Sequence, residues 1–220
     1  MRTVVYVDGF NLYYRMLKDR SALKWLNVKK LAEALLSPAN AIIGVKYYTA
    51  RLSGRVDPLA PARQQLYLDA LGTVPEISIH MGTLLSSEKF AGRVKPPEFR
   101  PRVAPLPQPW PDVVKVIKVE EKGSDVNLAS HLLFDAFKGN FDVAAVLSND
   151  SDLVEPIRIV TKEPGRPVGL LSPVSNPTLG LSQVASFVRR ISVSDLRASQ
   201  FADPVMGNNG TPFNKPTSWV

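Results

Sequence analysis

The chain has 220 residues, enough for one substantial α/β domain with insertions. Its 27 basic and 20 acidic side chains leave a net charge of +7, which suits a polyanionic partner. It contains no cysteine, so a disulfide framework, a thiolate nucleophile and a thiolate metal site are all excluded.

The opening MRTVVYVDGF breaks its apolar run at Asp8, unlike a signal peptide, and no apolar stretch is long enough to span a bilayer; a cytoplasmic protein is expected. Residues 3–7 are a continuous β-favouring run and predict the first strand, ending in Asp8-Gly9-Phe10-Asn11. Leu12, Tyr13, Met16 and Leu17 then fall at helical spacing. Between Arg15 and Lys30 stand 6 basic residues against the single acid Asp19, or 6 − 1 = +5, the pattern of a solvated face or of a phosphate contact. Residues 28–36 predict a helix closed by Ser37-Pro38. A strand over 42–51 ends at Arg51, a helix over 63–71 stops at Gly72, and a strand covers 76–85. The lone His80 in that strand reads as a packed or solvated side chain.

Residues 86–112 change character. Seven prolines between Pro96 and Pro111 exclude regular helix or central strand, and predict an irregular, polyproline-like basic insertion. Lys89, Arg93, Lys95, Arg100 and Arg102 accompany Phe90, Phe99 and Trp110 there, a mixture suited to single-stranded nucleic acid or to a plain surface loop. Residues 113–119 alternate lysine with aliphatics and predict a strand paired with 76–85 as a hairpin. After Glu120 to Asp125 comes a helix with Ser124 as its N-cap and Val126, Leu128, Ala129, Leu132, Leu133, Ala136 and Phe137 inward. Residues 143–147 are an unbroken apolar run, the pattern of a parallel strand covered on both faces.

That run stops at Ser148-Asn149-Asp150-Ser151-Asp152, before Leu153, Val154, Ile157 and Ile159 resume a helical pattern. Asp152 with Glu155 also fits a helix capping box. A strand at 167–171, short helices at 179–185 and 194–198, and a strand at 187–191 follow. The expected organisation is a domain over 1–198 with the insertion at 86–112, and a flexible tail over 199–220.

The predicted fold class is therefore α/β, a three-layer α/β/α sandwich around a mainly parallel sheet. Asp8, Asp125, Asp150 and Asp152 all stand where a strand stops or a helix starts. In a parallel sheet these positions converge on one edge, where ligands bind. Two unit charges about 4 Å apart repel by roughly 4 kcal/mol at an effective dielectric near 20, so the cluster asks for a cation. Carboxylate oxygens suit Mg²⁺ or Mn²⁺, which polarises phosphoryl groups and activates water.

The motifs VYVDGFN, EKGSDVNLASHLL and VLSNDSDL, in that order, resemble the NYN domain family of the PIN-like nuclease superfamily. The resemblance implies a metal-dependent endoribonuclease, a hydrolase that cuts RNA phosphodiester bonds with metal-activated water. It places metal ligation and catalysis on Asp8, Asp125, Asp150 and Asp152, and matches Asn11 to the family asparagine that orients a ligand or phosphate. Ser148 and Asn149 match the polar lead-in, Lys122 a recurrent basic position, and Arg51 and Arg15 are substrate contacts by location. The expected partner is RNA, with no membrane. A homodimer stays open, as does a protein partner on the proline-rich loop or tail. The alternative reading is a catalytically silent RNA- or protein-binding module on the same fold.

Overall fold

The computed structural model describes residues 1–55, 57–95, 98, 111–207 and 210–219. β1 (Arg2–Asp8) is buried from Thr3 onward, and its apolar run gives way to α1 (Gly9–Leu12), which continues into a π-helical turn, Tyr13–Leu17. Gly9 is required there: a Cβ would stand 2.7 Å from the Tyr48 carbonyl oxygen and from the Tyr47 ring. α2 (Val28–Leu35) is capped by Asn27, whose side chain accepts from the amides of Lys29 and Lys30. β2 (Ala41–Ala50), α3 (Ala60–Gly72), β3 (Ile77–Gly92) and β4 (Val113–Lys122) follow.

α4 (Ser124–Lys138) leads to β5 (Val143–Leu147), buried at every residue as its composition predicts. A 3₁₀ turn (Ser151–Leu153) runs into α5 (Val154–Lys162), then β6 (Val168–Ser172), α6 (Leu179–Val184), β7 (Phe187–Arg190) and α7 (Val193–Ala198). β8 (Val205–Met206) and β9 (Pro212–Phe213) pair as a small antiparallel ribbon.

Among the described residues the main sheet has the order β4-β3-β2-β1-β5-β6-β7, parallel except for the β3/β4 pair. This is the expected mainly parallel sheet between helices. Val5 and Val7 face a core shared with α2, α3 and α7, whereas Val4 and Tyr6 face the second core, shared with α4, α5 and α6. From β1 the chain goes to β2 on one side of the sheet order, and β5 occupies the other side. The connections after β1 and β5 leave in opposite directions, which opens a crevice between the carboxyl ends of these neighbouring strands.

Four sequence expectations need correction. β3 extends through residues 86–92, assigned from sequence to the insertion, because β4 pairs with it up to Gly92 opposite Val113. The polyproline-like stretch itself, with Phe99, Arg100, Arg102 and Trp110, lies outside the described residues. Ser124 is the first residue of α4 rather than its cap; the cap is Gly123 at φ +95, and the Glu121 carboxylate accepts from the Ser124 amide at 2.8 Å. Val126 and Phe137 on α4 are exposed.

The segment 199–220, expected to be a flexible tail, packs on the body across its described residues. The Trp25 indole donates to the Ala202 carbonyl at 2.9 Å, and Phe201, Phe213 and Trp219 pack against the core of the α2/α3 side. Widely spaced aromatics supplied contacts that the local polarity of the segment concealed. No helix among the described residues is long and apolar enough to cross a membrane.

Candidate functional site

Asp8 ends β1 and Asp150 follows β5, so parallel pairing of these strands brings them to the same edge. Asp125 arrives from the first turn of α4. Asp8, Asp125 and Asp150 line one open hollow of about 290 Å³ together with Asn11, Arg15 and Glu121. The sequence reading missed Glu121. Its signal was strand alternation: along β4, Glu121 and Lys122 must face opposite ways.

The hollow is tied together by short bonds. Asp8 is buried; its Oδ1 accepts from the Asn11 amide at 2.8 Å and its Oδ2 from the Ser148 hydroxyl at 2.8 Å. Ser148 Oγ accepts in turn from the Asp150 amide at 3.0 Å, and the Asn149 amide donates to Asn11 Oδ1 at 3.1 Å. The Asn149 side chain accepts from the Thr178 amide at 2.9 Å, fastening the loop to the start of α6. Asn11, Ser148 and Asn149 thus act as braces between the loops after β1 and β5.

Electrostatics mark the hollow as overcharged. Burial pushes the Asp8 carboxyl upward, the two hydrogen bonds resist, and Asp150 and Glu121 add to the rise. Asp125 is pushed up to about 6, first by burial and then by Asp8, Asp150, Glu121 and Asp152 in that order. Among the described residues no three acidic or histidine side chains stand close enough to make a finished metal cage. The donor set nevertheless fits a hard ion: it is all oxygen, and Mg²⁺ commonly takes one or two carboxylates while keeping several waters. Asp8, Asp125, Asp150 and Glu121 are the carboxylates from which one or two would hold it.

Other candidates stand elsewhere. Asp152 is exposed and does not line the hollow; its amide donates to Asp150 Oδ1 at 3.0 Å, so Asp150 caps the 3₁₀ turn. The capping box expected of Asp152 and Glu155 fails, because Asp152 lies within the 3₁₀ turn rather than at an N-cap, and Glu155 binds Arg158 at 2.5 Å. Lys122 is exposed on the opposite face of β4, 4.0 Å from Glu120. Arg51 binds Gln65. His80 stacks on Tyr48, whose hydroxyl meets His131 Nδ1 at 3.0 Å, so both histidines belong to a packed cluster and neither lines the hollow.

No family model matches the chain. It is 27% identical over 248 aligned positions to 6-hydroxy-3-succinoylpyridine 3-monooxygenase of Pseudomonas putida (strain DSM 28022 / S16), covering 100% of this chain and 75% of that protein. It resembles in fold a Vibrio parahaemolyticus (RIMD 2210633) protein of unknown function, with a TM-score of 0.51 at 14% identity, over 87% of this chain and 93% of that one. The first comparison corrects the enzyme class. The sequence reading makes the chain a hydrolase, a metal-dependent endoribonuclease; the relative matched along the full length of this chain is named as a monooxygenase, an oxidoreductase.

Proposed function

We propose that the hollow takes up Mg²⁺ or Mn²⁺ through one or two of Asp8, Asp125 and Asp150 with waters completing the shell, and that Arg15, which lines the same hollow, meets phosphate groups of RNA. The chain then acts in the cytoplasm as a cation-dependent RNA-binding module that leaves the strand uncut. One observation carries this reading: Asp8, Asp125 and Asp150 converge on one hollow, where burial and then the neighbouring carboxylates push the Asp125 carboxyl up to about 6, a strain that a cation relieves. The chain's surplus of +7 supports a polyanion as the partner.

The test is retention of labelled single-stranded RNA on the purified protein at low salt, with Mg²⁺, Mn²⁺ or EDTA, for wild type and Asp150→Asn. Cation-dependent retention of intact RNA, lost in the variant, is the expected result. Retention indifferent to both EDTA and the variant would sink the reading.

A second reading follows the Pseudomonas relative, whose name specifies oxygenation of a substituted pyridine; the match over the full length of this chain favours it. Incubation with 6-hydroxy-3-succinoylpyridine, dioxygen and a two-electron reductant tests it, and consumption of the pyridine matched by reductant oxidation is the expected result.

A further inference from the structure

The π-helical turn and α1 form a partition with two sides. Phe10 and Tyr14 face the acidic hollow and also line a second cavity, of about 160 Å³, on the α3 side of the sheet. An apolar cavity of about 150 Å³ accommodates benzene, so this chamber has room for about one ring. Its walls suit a flat π-system: Tyr47 and Trp219 each meet Tyr67 near edge-on, with centroids 6.2 and 6.1 Å away, and Tyr13 lines the mouth.

The chamber is not electrically neutral. Lys24 and Arg63 both line it, with Asp57 as the carboxylate, which binds Arg63. Lys24 makes none of the described ion pairs; its ammonium lies 5.4 Å from the Tyr13 ring centroid. Burial lowers the Lys24 pKa and Arg63 lowers it further, with Asp19 opposing them only in part, so the two cations that line the cavity repel. An anion between them relieves that repulsion.

A polar handle completes the wall. The Tyr47 hydroxyl has no hydrogen-bond partner among the described residues, while the Tyr67 hydroxyl is spent on the Leu26 carbonyl at 2.8 Å. Burial raises the Tyr47 pKa, keeping the phenol neutral and able to donate.

We propose that this chamber binds a planar heteroaromatic ring carrying an anionic arm: the ring lies among Tyr13, Tyr47, Tyr67 and Trp219, a ring heteroatom or ring hydroxyl meets the Tyr47 hydroxyl, and the arm is held by Lys24 and Arg63. The same chemistry has two sources, a nucleotide or a free heteroaromatic acid. The site stands on its own geometry and needs no cation in the acidic hollow.

Calorimetric titration in EDTA separates these sources and keeps the cation reading out of the measurement. The probes are pyridine-3-carboxylate, uridine monophosphate and, as the neutral comparison, pyridine. At least one of the two anions should bind more tightly than pyridine, and whichever binds better identifies the source. Lys24→Gln should weaken that binding about tenfold, equivalent to about 1.4 kcal/mol. Arg63→Gln, at a separate position, repeats the charge test should the first variant melt early. Tyr47→Phe should weaken binding severalfold while leaving the walls intact. The proposal fails if neither anion binds better than pyridine, or if both charge variants bind like wild type.

Discussion

Two aspartates on one helix show opposite solutions to the same problem. Asp135, near the end of α4, is buried, yet Lys46 and the Tyr6 hydroxyl donate to its Oδ2 at 2.6 Å each and Asn140 donates to its Oδ1 at 2.9 Å. Burial alone would raise its pKa; the three bonds outweigh burial and hold it below the usual carboxylate range. Asp125, in the first turn, has carboxylates for company and is pushed up to about 6. A charge that folding satisfies belongs to the architecture. A charge that folding leaves in conflict marks a candidate functional site.

Breaking the satisfied end should cost most. Lys46→Ala leaves Asp135 without its cation, and denaturant melts should show a loss of about 3 kcal/mol, the lower end for a buried pair because Lys46 is 25% exposed. Next comes relief of the conflicted end. Mg²⁺ or Mn²⁺ at about a hundredfold excess over its dissociation constant should stabilise the wild type by about 2.7 kcal/mol, read as a rise in melting temperature, and Asp125→Asn should abolish most of that rise.

The pH dependence separates the two residues by sign. Asp125 binds its proton more tightly folded than unfolded, so its penalty is absent below its ordinary value of 3.8, grows as pH rises, and is complete above about 6. In EDTA the stability should therefore fall between about pH 4 and pH 6. The drop should be about 1 kcal/mol once solvent screening reduces the figure for a buried group, and Asp125→Asn should flatten it. Asp135 works the other way: its contribution is present above pH 3.8 and is lost as pH falls further. The smallest effect is that of Asp150→Asn on the cation-free protein. Asparagine caps a helical turn as well as aspartate, and one repelling charge disappears, so stability should stay level or rise by up to about 1 kcal/mol. A loss above about 2 kcal/mol would show that Asp150 serves the fold alone.

The parallel core was legible because β1 carries a continuous β-favouring run and β5 an unbroken apolar one, and Asp8, Asp125 and Asp150 were legible because each sits at the end of a run or the start of a helix. Side-chain direction was harder. Lys122 and Glu121 are adjacent in sequence, and alternation places Glu121 in the hollow and Lys122 outside it, so choosing between them required the strand's register. The packing of the described residues of this last segment depends on Trp25 and Tyr67 meeting Trp219, contacts about 150 or more positions apart that no local composition reveals. The aromatic chamber was hidden for the same reason, since its walls come from four separate segments.

Asp8 closes the strand at the middle of the sheet, hydrogen-bonded on both flanks to β2 and β5. The backbone that carries this buried acid of the hollow is thus drawn from the last part of the molecule to open. Amide hydrogens of Val5 and Val7 should exchange with solvent only through whole-molecule unfolding, while those of the loop around Asp150 exchange through smaller openings. One wall of the crevice is as durable as the protein itself, and whatever adjustment accompanies an incoming ion falls to the other.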